Sequence, residues 1–137
     1  MKIFSQKVKY GLSALFELAK KYNMGFIQIK DISSAQKIPK NYLEQLLSIL
    51  KKAGLVESLR GSHGGYKLNK PTNQIKIIDV IEVLDGPLTI IDLSKSTEVF
   101  KTIWKDIEQK FKKLLEINLE ELVKKEDLIN QRLFFQI

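Results

Sequence analysis

At 137 residues, 44% of them apolar, the chain has material for one compact unit, or for one small domain with a helical arm. It contains no cysteine, which excludes disulfides, thiolate chemistry and cysteine-ligated clusters. The net charge of +7 is uneven: residues 1–76 carry 13 Lys and one Arg against four acids (+10), and residues 77–137 carry eight Lys and one Arg against twelve (−3). A basic first half suggests a polyanionic partner met by that half alone, with lysine-rich solubility as the plainer alternative. The opening stretch "MKIFSQKVKYGLSALFELAKK" is interrupted by polar residues, and no run of about 18 apolar residues follows, so neither a signal peptide nor a membrane span is expected and the expected location is the cytoplasm.

Val8, Leu12, Leu15, Phe16 and Ala19 recur at spacings of three and four, which predicts an amphipathic helix over residues 5–22. "NMG" ends it, "FIQI" reads as a short strand or extended link, and residues 30–36 form a second helix with Ile32 and Ala35 inward. Pro39 suits the start of a third helix, from about Lys40 to Ala53. There Leu43, Leu46, Leu47 and Leu50 share one face, and Asn41, Gln45, Ser48 and Lys52 fall together on the opposite one. Gly54 stops it, and "LVESL" and "GYKLN" alternate as two strands joined by "RGSHG". Helices followed by such a hairpin describe a winged helix-turn-helix.

"IKIIDVIEVLDG" predicts a further helix, residues 88–97 read as irregular, and a long helix follows from about Glu98 to Asn118. Phe100, Trp104, Ile107, Phe111 and Leu114, at spacings 4, 3, 4, 3, form a coiled-coil-like seam that Val99, Ile103 and Leu115 widen. So much apolar surface on an arm implies a second copy, hence a homodimer. "NLEELVKK" reads as a short helix and "RLFFQI" as an apolar tail. The expected fold is mainly α with a small β-hairpin: a winged-helix domain at 1–72, a connecting helix and loop at 73–97, and the dimerisation helix and tail at 98–137.

The stretch "VESLRGSHGGYKLNKP" holds the only histidine, yet "RGSHGGY" has neither the spacing nor the strand-to-helix setting of a phosphate-binding loop. One histidine without cysteine makes no structural zinc site, and Ser62 beside His63 has no third catalytic member, so neither a metal, a cofactor nor an enzyme is expected. A recognition helix instead accounts for the pattern, because amides pair with adenine and Glu accepts from cytosine. On this view Asn41, Glu44, Gln45 and Ser48 face bases, Lys51, Lys52, Lys7 and Lys9 face phosphates with Tyr10 alongside, and Arg60, flanked by Ser62 and His63, tips the wing toward a minor groove. The alternative of a different class is a protein-interaction module that binds a metabolic enzyme without DNA.

The run "YLEQLLSILKKAGLVESLRGSHGGYKLNKP", with "IIDVIEVLDGP" behind it, resembles the bacterial winged-helix regulator family that includes the iron-sulfur cluster regulator IscR, the nitric-oxide-sensing repressor NsrR and the cysteine metabolism repressor CymR. The resemblance spans nearly the whole chain. It implies a homodimeric repressor on a pseudo-palindromic operator in double-stranded DNA, with Tyr42, Glu44 and Gln45 on the recognition helix and Arg60 as the wing arginine. Cluster-binding members carry three cysteines before and into the long helix and a histidine three residues ahead of its tryptophan; here that region has no cysteine and Lys101 stands at the histidine position. The chain therefore looks more like the family's cysteine metabolism repressor, a likeness that implies a cluster-free regulator tied to cysteine and sulfur metabolism, with a cysteine synthase as partner.

Overall fold

Helix α1 (Gln6–Lys20) forms as its periodicity predicts, burying Val8, Leu15, Leu18 and Ala19. A computed structural model describes residues 1–136; the last residue of the expected apolar tail, Ile137, lies outside the described residues. Ser5, at the N-cap position of α1, makes no side-chain bond to the helix; the Asp85 carboxylate accepts its backbone N–H at 3.0 Å and also its hydroxyl, tying the start of α1 to the end of the fourth helix. Helix α2 (Ile29–Gln36) buries Ile32. Ala35, expected inward, is exposed; Lys37 turns the chain through a left-handed conformation (φ 55°), and Ile38 enters the core in its place.

Helix α3 (Lys40–Lys52) starts behind Pro39, whose carbonyl accepts from Leu43 N–H at 2.9 Å. Leu43, Leu46, Leu47 and Leu50 are fully buried, about 1.5–3 kcal/mol of transfer free energy each. Strands β1 (Val56–Leu59) and β2 (Gly65–Leu68) pair antiparallel with Val56 opposite Leu68 and Leu59 opposite Gly65. The "FIQI" segment adds one rung: Ile27 and Tyr66 exchange two backbone hydrogen bonds of 2.8 Å. With a 3-10 turn at Thr72–Gln74, these elements form the expected winged helix-turn-helix.

Helix α4 (Ile77–Asp85) packs into this head rather than linking away from it: Ile75, Val80, Ile81 and Leu84 share one core with α1 and α3. The expected division at residue 72 thus runs through a single hydrophobic core. Helix α5 (Glu98–Leu114) is shorter than the expected 98–118. Its continuation turns back to pair with α4, where the Ile117 and Leu115 carbonyls accept from Ile77 and Ile78 N–H at 2.8 and 3.0 Å, satisfying donors that a helix start leaves orphaned.

Asn118 then opens α6 (Leu119–Gln136) with a capping box: its side-chain oxygen accepts from Glu121 N–H (2.9 Å), and the Glu121 carboxylate accepts from Asn118 N–H (2.8 Å). Leu119 is buried in the head's core. The short helix and separate tail expected at 118–137 are one continuous helix over 119–136.

Candidate nucleic-acid interface

One face of α3 is consumed by the core, which orients the other outward. Asn41, Glu44, Gln45, Ser48, Lys51 and Lys52 are all exposed. Tyr42 lies on the boundary: it is half-buried, and its ring meets Tyr10 of α1 edge-on at 5.6 Å between centroids. The Lys9 ammonium lies 5.3 Å from the Tyr10 ring centre, within cation–π range. Helix α1 therefore brings Lys7, Lys9 and Tyr10 to the flank of the third helix.

The wing presents Arg60, Ser62 and His63, all exposed. Its glycines are explained by close approaches. A Cβ on Gly65, whose φ is +144°, would come within 2.2 Å of the Ile27 carbonyl oxygen, and one on Gly64 within 2.1 Å of the Leu59 carbonyl oxygen. Among the described residues no group of three or more His, Cys, Asp or Glu could hold a metal, at His63 or elsewhere.

Among the described residues Lys7, Lys9, Lys51, Lys52 and Arg60 take part in no ion pair. Of the four acids in residues 1–76, Glu57 pairs with Lys67 at 3.4 Å and Glu17 is sequestered. Glu17 is only 2% exposed, a carboxylate set among the apolar residues of α1 that periodicity alone does not mark. It accepts from Gln36 Nε2 at 2.9 Å and pairs with Lys21 at 2.9 Å and Lys20 at 3.5 Å. Burial pushes its carboxyl upward, but the hydrogen bonds from Gln36 and Lys21 and the two ammonium charges outweigh that and hold it below the usual range. Lys20 in turn reaches Glu126 of α6 at 3.1 Å. Burial pulls its ammonium down, and Glu126 and Glu17 together leave it raised.

The seam expected on α5 is open to solvent: among the described residues this helix buries none. Phe100 is 57% and Leu114 72% exposed, with Ile103 and Ile107 also exposed. Trp104 is half-buried, and Phe111 packs against Phe4 of its own chain at 6.1 Å. Among the described residues no helix is long and apolar enough to cross a membrane.

The sequence pattern of the Rrf2 family, described as "Iron-dependent Transcriptional regulator", matches residues 4–125. The HTH-type transcriptional regulator CymR of Bacillus subtilis is 38% identical over 139 residues, covering the whole of both chains. The IscR regulator of Pectobacterium atrosepticum is 34% identical, covering 92% of this chain and 82% of its own. Among solved structures, CymR of B. subtilis, described as its global cysteine regulator, superposes with a TM-score of 0.84 at 37% identity, covering 91% of this chain and 98% of that one. IscR of T. potens gives 0.77 at 36% identity, covering 92% and 88%.

Proposed function

Because the chain belongs to the Rrf2 family of transcriptional regulators and is similar to CymR, we propose that it is a homodimeric repressor that binds a pseudo-palindromic operator in double-stranded DNA. The relatives are named as transcriptional regulators, not as enzymes. The observation that carries the DNA-binding role is the exposed strip Asn41, Gln45, Ser48 and Lys52 on a helix whose opposite face is fully buried, ringed by unpaired cations. Amides at Asn41 and Gln45 suit base edges in a major groove, Tyr42 and Glu44 border them, and Lys7, Lys9, Lys51 and Lys52 suit phosphates. Arg60 suits a narrow minor groove.

The open seam of α5 supports the dimer. A second copy related by a twofold axis would cover Phe100, Ile103, Trp104, Ile107 and Leu114 and set the two recognition helices about one helical turn of DNA, or a multiple, apart. Light scattering tests this with Phe100→Glu, at a position already exposed in the single chain: the expected mass falls to that of one chain, and an unchanged mass would remove the seam from the interface.

The iron in the family's description finds no donor set here. The chain has no cysteine, and Lys101 lies 4.0 Å from Glu98, a cation in an ion pair where a neutral ligand would be needed. The likeness to CymR, described as a global cysteine regulator, supports a cluster-free regulator linked to cysteine and sulfur metabolism. The exposed Leu133, Phe134 and Phe135 at the end of α6 support an additional protein partner, for which a cysteine synthase is the candidate.

Selection of bound sequences from a random duplex pool tests the DNA-binding role and reads out half-site spacing. With the selected duplex, Gln45→Ala should relax preference at one base position at a cost of about 1–3 kcal/mol. Lys52→Ala should weaken all sequences alike and flatten the salt dependence by about one counterion. If both variants bound like the unmodified protein at low salt, the DNA role would be lost, and a module that binds a metabolic enzyme would be the better account.

A further inference from the structure

Residues 26–28, just ahead of α2, touch the hairpin at three successive points. The Lys67 ammonium lies 4.8 Å from the centre of the Phe26 ring. Ile27 and Tyr66 exchange their two backbone hydrogen bonds. Gln28 Nε2 donates to the Ser62 carbonyl across 3.2 Å.

The first two contacts hold the strands, and only the third reaches the tip. Among the described residues, the one other hydrogen bond within residues 60–64 is internal to the tip, from Gly64 N–H to the Gly61 carbonyl at 3.0 Å. Arg60, Ser62 and His63 are exposed, so no apolar side chain anchors the turn, and the left-handed Gly61 (φ +113°) has open space around its Cα. A tip of this composition has many conformations available unless something outside it selects one.

The geometry points to Gln28 as a positioning residue that pins the wing tip and thereby sets the reach of Arg60 toward DNA. The inference rests on the DNA-binding role proposed above. Affinity scales with the fraction of the protein in the binding-competent conformation, and a bond to Ser62, two residues from Arg60, raises that fraction before DNA arrives. Gln28 also stands at the cap position of α2, so its amide joins the tip to the helix-turn-helix as well as to the hairpin. The wing arginine and the recognition helix are then held in one frame.

Full-length Q28A, R60A and the double variant test this on the selected duplex, together with amide hydrogen exchange of the free proteins. Q28A should weaken binding about two- to tenfold, the range one hydrogen bond allows. In the R60A background it should add nothing, because its effect passes through Arg60. Without DNA, exchange at Gly61–Gly65 should accelerate in Q28A. Q28E, which cannot donate to a carbonyl, should behave the same way. Additive losses in the double variant would overturn the proposal, since Gln28 would then act on DNA independently of Arg60; unchanged exchange at the tip would overturn it as well. Faster exchange in a protein that binds no duplex at all would instead defeat the DNA-binding role, and with it the part assigned to Arg60, while leaving the pin in place.

Discussion

Replacing Leu119 with alanine should lower the unfolding free energy by about 2–5 kcal/mol, among the larger effects a single substitution here can produce. The side chain is fully buried in the core that α1, α3 and α4 share, although it belongs to the first turn of the last helix. Its backbone N–H donates to the Ile75 carbonyl at 2.9 Å, so the surroundings have little freedom to collapse onto the void. Urea denaturation followed by circular dichroism measures the loss, and the whole α-helical signal should move in one transition. A helical fraction that melted separately, leaving the head unaffected, would show that Leu119 is no part of the head's core.

Gly65→Ala should cost about 3–5 kcal/mol and weaken the DNA binding proposed above. Two effects combine at this position. The φ of +144° is one that side-chain-bearing residues rarely adopt, a strain of order 1–3 kcal/mol. The new Cβ would also overlap the Ile27 carbonyl, which is backbone and can move only by giving up the two hydrogen bonds with Tyr66, each worth about 1 kcal/mol. Gly61→Ala is the control: its φ is also positive, but nothing lies within 4 Å of the added carbon, so it should show strain alone and a smaller shift in denaturation midpoint. Equal losses at both glycines would mean that the rung to Ile27 contributes nothing.

How much of this was legible in the sequence depended on whether the signal was local. The leucine stripe of α3 and the opposing strip declared both the helix and its solvent face, since each needs only a 3.6-residue period. The hairpin was legible for a similar reason, as alternating residues around a glycine turn. The end of α5 was not, because Leu115, Glu116 and Ile117 suit a helix by their side chains and leave it to bond with the start of α4, some 40 residues back in the chain. A local signal was nevertheless present: Asn118 and Glu121 have the spacing of a capping box, which announces that a new helix starts there. Glu17 and Gln28 gave no such signal. One is a carboxylate within an apolar stripe and the other an amide in a short link, and each acquires its role from partners that only the tertiary fold supplies.

The way α5 is fastened determines how it can move. The loop from α4 is held by two carboxylates: Glu82 of α4 accepts from Leu88 N–H, and Glu108, in the second half of α5, accepts from Ile90 N–H, both at 3.0 Å. At its far end the chain is tied to α4 through the Leu115 and Ile117 carbonyls, and midway along the last turns Phe111 rests on Phe4. These fastenings lie in the second half of α5 and just beyond it, and a helix held at one end acts as a lever about that end. Two copies joined along α5 would pass a displacement at the seam to each head through that fastened half, as a rotation about it.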